Sequence, residues 1–350
     1  MKRLAVFLPI LAIVAIVVAC AEANDPVAPG NVLVIEAEHT FMGDPLDMDV
    51  TSGYIYVAED QAGFSIWDRA TLQQMSQNWE FEEDFNDVEQ VSAVDEYDRL
   101  FIYNQKPSGS DGIYIFDVTD PAAPVWVAQA IGNTQNVEEL YVKVNDGEYD
   151  VPESASSQIV CLRTIDNELY YGYYQASDGI DMWHGSPEEL ITTFPLDVGS
   201  FTEDYQYLYV TQGQLGFYIV DKATHEVIST CDTPGEALQI AVNGDVAYVA
   251  DRHEGLVVID ISDRNNPVQL DTGYDTSGYA QYIDVEGNWL AVGSGGGGVY
   301  LFNITDPADP VFVDRLSSTD VGYVRCVDLY DGHLYVASRD NGILDITIHP

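Results

Sequence analysis

Residues 298–311 read GVYLFNITDPADPV, and two further stretches repeat the pattern: GIYIFDVTDPAAPV at 112–125 and GLVVIDISDRNNPV at 255–268. Each begins with a glycine and runs through four mostly apolar residues to an Asp or Asn. A turn of the type Thr/Ser-Asp follows, and a proline precedes the next run. The apolar word is contiguous rather than alternating, so a strand made from it must be covered on both faces. Proline cannot donate to a β-ladder and is tolerated where a strand begins at a sheet edge. The stretch therefore reads as an interior strand, a capped turn and an outer strand.

The opening glycine recurs as Gly63, Gly112, Gly179, Gly216, Gly255, Gly298 and Gly342, at spacings of 49, 67, 37, 39, 43 and 44 residues. A period near 40–50 residues marks a repeat architecture. The 67-residue gap reads as one unit carrying a polar, loop-like insertion within 133–157. A second apolar word precedes each glycine (YIYVA at 54–58, LYVTQ at 208–212, AYVAD at 247–251, LYVAS at 334–338). Turn pairs such as Asn243-Gly244 and Asp331-Gly332 introduce these words, as expected of hairpins. Earlier in the unit lies a third run (LQIAV at 238–242, YIDVE at 282–286, VRCVDL at 324–329), and after the glycine word a fourth (PVWVAQ, PVQLDT, PVFVDR).

Four short antiparallel strands per unit, here a to d from the inside outward, with a doubly covered interior and a proline-tolerant outer edge, describe a propeller blade. The expected fold is all-β: a seven-bladed β-propeller of four-stranded antiparallel blades, with six or eight blades as alternatives. The last unit ends in ILDITIHP, with no residues left for strand d, whereas NVLVIEAEH at 31–39 is a lone strand ahead of the first unit. That strand is expected to complete the last blade and close the ring. Leu256-Val257-Val258-Ile259-Asp260, followed by Ile-Ser-Asp and a proline, resembles the LVIVD repeat of bacterial and archaeal cell-surface proteins. The resemblance extends over roughly 47 to 347 and is degenerate at GIDMWHGSPEEL. It implies a propeller on the cell exterior and brings no established reaction.

The N-terminus carries a different signal. Lys2 and Arg3 precede an apolar run from Leu4 to Ala19, which ends in Val17-Val18-Ala19-Cys20. The run is short for a membrane span, and its end resembles the lipobox of bacterial lipoproteins, which implies cleavage before Cys20 and lipidation of its sulfur. Residues 1–19 are then a signal peptide, 20–30 a tether and 31–350 the propeller. Ala21 and Glu22 after the cysteine resemble the outer-membrane sorting pattern, so the expected location is exported and lipid-anchored, at the outer membrane or cell surface. Removing the signal leaves 11 basic against 58 acidic residues, a formal charge of 11 − 58 = −47. Such a surface repels nucleic acid and anionic headgroups. It suits either a saline exterior or simple avoidance of aggregation. The expected partners are the membrane, through the lipid, and other surface proteins or glycans. Cys161, Cys231 and Cys326 lie in apolar runs without CxxC spacing and read as buried thiols.

Function belongs to the b–c and d–a loops, which share one face around the channel mouth. The candidate ligand-face residues are Glu59, Asp60, Asp178, Asp251, Arg252, His253, Glu254, Arg339 and Asp340. Asp251-Arg252-His253-Glu254 is the richest, since a histidine beside carboxylates suits acid–base work, although a solvated hairpin tip has the same composition. The acidic run Glu80, Glu82, Glu83, Asp84, Asp87 and Glu89 has oxygen ligands for calcium but no Dx[DN]xDG loop, and reads as solvated charge. Calcium is the one candidate cofactor. Ser294 to Gly298 lacks the following helix N-terminus that a phosphate cradle needs. Tyrosines in the repeated words (Tyr56, Tyr209, Tyr248, Tyr335) read as framework. No catalytic residue is assigned. The expected function is a surface-anchored, non-catalytic interaction or ligand-binding scaffold. Its rival is an extracellular hydrolase or lyase acting on a glycan or small metabolite at the channel mouth.

Overall fold

The computed structural model describes residues 32–78, 87–94, 98–104, 112–131, 141–144, 147–150, 157–165, 168–175, 179–184, 190–194, 200–224 and 226–349. Its described strands assemble into four-stranded antiparallel sheets, each built from strands consecutive in the chain with one exception. The first strands of these sheets are Asp47–Val50, Val88–Val94, Ser157–Ile165, Phe201–Glu203, Gln239–Asn243, Tyr282–Glu286 and Val324–Tyr330. The exception is the last sheet, whose fourth strand is Leu33–His39. That strand pairs antiparallel with Gly342–Ile348, from Leu33 opposite Ile348 to His39 opposite Ile343. The architecture is all-β and propeller-like. Among the described residues no helix is long and apolar enough to cross a membrane.

The repeated words take the roles their composition implies. Val246–Ala250 is buried throughout, and Leu256 to Ile259 beside it are buried too. Their side chains meet the next sheet: Tyr248, Leu256 and Val258 share a core with Ile283, Leu290, Val292 and Phe302. The last sheet packs in the same way on the first, with Cys326, Tyr335, Ala337 and Ile343 against Met48, Val50, Ile55 and Val57. Burying each such aliphatic side chain contributes roughly 1.5–3 kcal/mol. Cys231 and Cys326 are buried thiols outside any disulfide, and the side chain of Cys161 lies outside the described residues.

Gly255 has φ 76°, and a Cβ there would lie 2.3 Å from the Tyr274 carbonyl oxygen. Glycine is thus required twice, for the left-handed backbone and for the close approach of the strand d end. Gly342 repeats this, with φ 81° and a Cβ 1.8 Å from the carbonyl oxygen of His39. The N-terminal strand therefore sits where strand d sits elsewhere.

The acidic turn words are paired Asx-turns. Asp260 accepts from the Ser262 N–H at 2.8 Å, and Asp263 then accepts from Asn265 at 3.1 Å. Asn303 and Asp306 act alike on Thr305 and Ala308 at 3.0 and 3.2 Å. Outer strands start directly after the prolines, at Val125, Val268 and Val311. One expectation is corrected. The insertion is not only loop: Tyr141–Val144 and Gly147–Asp150 pair as two antiparallel strands.

A second regularity joins the sheets at their innermost edges. Asp47 Oδ2 accepts from Val91 N at 3.1 Å, and Asp49 Oδ2 from Ala93 N at 2.7 Å. Gln239 Oε1 accepts from Ile283 N at 2.6 Å, and Asp284 Oδ2 from Leu329 N at 2.7 Å. Asp328 Oδ2 accepts from Val50 N at 3.0 Å, which ties the last inner strand back to the first. Inner-edge N–H groups have no ladder partner, and each of these is satisfied from the neighbouring sheet.

Candidate functional site

The inner strands enclose a cavity of about 410 Å³ lined by Leu46, Asp47, Asp49, Glu89, Gln239 and Arg325, together with Gln90, Gln281 and Tyr282. These residues lie toward the beginning of strands a, the end at which the d–a connections enter. Pairing with strand b puts Asp47, Gln90, Gln239, Tyr282 and Cys326 at one equivalent level. Leu46, Glu89, Leu238, Gln281 and Arg325 form the level above.

Arg325 is the one cation among the described residues of the lining. It donates to Asp44 Oδ2 at 2.6 Å, and its guanidinium lies 5.4 Å from the Tyr323 ring centre. Arg339 covers the same ring at 4.9 Å. Arg325 Nε, Asp44 Oδ1 and Gln90 Oε1 are buried without a hydrogen-bond partner. Burial, reinforced by the charge of Asp60, pushes the Glu89 carboxyl above the usual carboxylate range, against the pull of Arg325.

The candidate loop residues divide sharply. Glu59 and Asp251 are fully buried. Glu59 Oε2 accepts from the N–H groups of Met42 and Gly43, both at 3.0 Å. Asp251 accepts from Thr233 Oγ1 and Gly235 N, both at 2.7 Å. Both carboxyls are raised by burial, against the pull of these hydrogen bonds. They pin the d–a connection beneath each hairpin rather than face solvent. Asp60 and Arg252 follow them at left-handed φ values of 51° and 49°. Their backbones bridge the next sheet, Asp60 to Val88 and Arg252 to Ala280.

Arg252 pairs with Glu236, and its guanidinium stands 5.5 Å from the Tyr279 ring. His253 is exposed and meets Tyr279 edge-on at 4.5 Å. Glu254 is exposed. Asp340 accepts from Tyr323 N at 2.9 Å and lies 3.7 Å from Arg339. The Asp251–Glu254 tip thus sends its first carboxylate inward and its imidazole outward, so the two do not converge. Asp178, Cys20 and the run from Glu80 to Asp84 lie outside the described residues. Glu89 is not simply solvated charge but part of the cavity wall.

Sequence reading missed Asp44, Tyr279, Gln281, Tyr323 and Arg325. Aligning the repeats on strand a would have found them, because Tyr279 and Tyr323 occupy the same position, two residues before Gln281 and Arg325. Among the described residues, no three carboxylate, imidazole or thiol groups gather closely enough to hold a metal ion. Ser294 to Gly298 forms a single 3₁₀ turn, Gly295–Gly297, leading into a strand.

No curated protein matches the sequence. Among solved structures, the computationally designed Ika8 protein is similar at a TM-score of 0.63 and 10% identity, over 89% of this chain and 98% of that one. Raptor from Chaetomium thermophilum is similar at a TM-score of 0.63 and 13% identity, over 89% of this chain but 29% of its own length. Likeness at such identity bears on the fold alone. The model of the LVIVD repeat matches residues 234–276, 277–317 and 321–347. The unit at 112–125 lies outside these matches. The C-terminal region of this chain is therefore built of LVIVD repeats, one to each of its last three sheets.

Proposed function

We propose that this protein is an exported lipoprotein, anchored through Cys20, whose sheets close a seven-bladed ring and present a non-catalytic binding face at the channel mouth. The ring reading is supported by the contact of the last inner strand with the first and by the N-terminal strand in place of strand d. The observation that carries the scaffold reading is the use of Glu59 and Asp251. The two buried carboxylates of the candidate loops are occupied by backbone N–H groups. What remains outward is a set of arginine–tyrosine pairs, a composition suited to recognition. The apolar leader ending in Val-Val-Ala-Cys supports the anchor, and the strongly acidic chain leaves surface proteins and glycans as partners rather than nucleic acid.

Two experiments test this. Cys20→Ser is expected to move the protein from the membrane to the soluble fraction, and unchanged membrane association defeats the anchor. A photo-crosslinking residue at His253 in intact cells is expected to give discrete adducts, whereas one at Tyr205, in an a–b turn at the opposite end, gives none. Equal yields at both ends defeat the binding face. The raised carboxyl of Glu89 favours the rival hydrolase or lyase. Turnover of a glycan that Glu89→Gln abolishes establishes that reading instead.

A further inference from the structure

We infer that the channel mouth is a binding site for a neutral oligosaccharide, stacked on Tyr279 and hydrogen-bonded by the Arg325–Asp44 pair. This inference rests on the scaffold reading and names its ligand class.

The cavity volume, about 410 Å³, falls within the ~300–1,000 Å³ typical of small-molecule sites. Its wall is polar and mixed in character: carboxylates at Asp47, Asp49 and Glu89, amides at Gln90, Gln239 and Gln281, and one guanidinium at Arg325. The unpartnered buried atoms include a donor, Arg325 Nε, and two acceptors, Asp44 Oδ1 and Gln90 Oε1. An anion satisfies only the donor, and a metal ion or amine only the acceptors. A hydroxyl group both donates and accepts, so it suits a lining that offers a donor at Arg325 and an acceptor at Gln90.

The aromatic component is at the rim. Tyr279 is 41% exposed, unlike the framework tyrosines of strands b, and it stands two residues before the channel-lining Gln281. Arg252 lies over the ring, 5.5 Å from its centre, and His253 stands perpendicular to it at 4.5 Å, which holds the ring in place and leaves its exposed part as a platform for an apolar sugar face. Tyr323 holds the equivalent position but is covered by two guanidinium groups, so it orients Arg325 rather than stacking on ligand. Charge completes the argument. The whole chain carries −45, and the wall carboxylates repel uronic or sulfated sugars. The ligand class is therefore neutral.

The test uses the full-length lipidated protein in a detergent without a sugar headgroup. It is titrated calorimetrically with cello-, xylo-, malto-, manno- and chitohexaose, and with an alginate hexamer as the anionic probe. At least one neutral probe is expected to bind. Tyr279→Ala and Arg325→Lys, the second keeping the charge but losing the planar fork, are each expected to weaken it at least tenfold. Tyr205→Ala, which removes a tyrosine 99% exposed at the opposite end, is expected to change nothing. Thermal melts identify any variant that has lost its fold, and Tyr279→Phe, which keeps the ring, is expected to retain binding. The inference is overturned by the absence of binding to every neutral probe, by tighter binding of alginate, or by an unaltered Tyr279→Ala. Protein adducts at His253 without glycan affinity overturn this inference alone. Loss of the adducts together with glycan turnover overturns the scaffold reading beneath it.

Discussion

Removing the carboxylate of Asp328 tests how the inner edges are joined. Asp328 Oδ2 accepts from Val50 N at 3.0 Å across the junction between the last sheet and the first, and Val50 is 6% exposed. A hydrogen bond to a charged group contributes roughly 1.5–3 kcal/mol, and stranding its buried N–H adds a penalty of similar size. The bond is only part-buried, which limits the penalty. Asp328→Ala is therefore expected to cost about 2 kcal/mol, a fall in Tm of roughly 3 °C at ~2.1 cal/mol/K per residue over about 320 residues. Asp328→Asn keeps an acceptor oxygen and is expected to lose less than half as much. Urea denaturation gives the free energies, and hydrogen exchange of the peptide containing Val50 localises the effect. The reasoning is refuted if the alanine variant matches wild type, if asparagine is as damaging as alanine, or if exchange rises elsewhere but not at Val50.

Other expectations follow from the same geometry. Gly255→Ala places a Cβ 2.3 Å from the Tyr274 carbonyl oxygen at φ 76°, so it is expected to cost at least about 2 kcal/mol, measured by denaturant midpoint. Glu59 has its carboxyl raised by burial, so its protonated form favours folding below the unfolded value of about 4.3, and that stability is lost as pH rises through the folded value. Glu59→Gln fixes a neutral acceptor and is expected to equal or exceed wild-type stability at pH 7, whereas Glu59→Ala falls below it in the same melts. Asp117 and Asp260 have their carboxyls held low by hydrogen bonds from the Thr119 and Ser262 side chains and backbones. They contribute stability above about pH 3.9, lost as pH falls through the folded values. The double variant Asp117→Asn with Asp260→Asn is expected to show a shallower loss of stability between about pH 4 and 2.5.

The strands, their order and the N-terminal completion of the last sheet were legible because each is a local pattern: a contiguous apolar word, a turn pair, or a glycine that only one backbone conformation explains. Glu59 and Asp251 were misplaced by a single step. They end strand b, and the side chain of that residue turns under the hairpin while the next two turn out, a distinction that loop composition does not encode. The lacing carboxylates Asp49, Asp284 and Asp328 read as ordinary polar positions within a half-apolar strand. Their partners are 44 or more residues away in sequence, so no local window contains both ends of the bond. Arg325 and Asp44 are 281 residues apart, and only the packing of the last sheet on the first brings them together. The channel site is a product of tertiary register, visible in the sequence only once the repeats are aligned on strand a.

Leu33–His39 leaves the ribosome long before its partner Gly342–Ile348 and before Asp314, whose Oδ2 accepts from the Val32 and Leu33 N–H groups at 2.9 and 3.0 Å. Until Gly342–Ile348 has emerged, the earliest strand has no lodging, and its apolar side chains must be shielded by some other surface or remain open to premature association. Maturation of this protein is thus timed by the emergence of Gly342–Ile348: a chain that lacks this strand leaves Leu33–His39 unfastened as well.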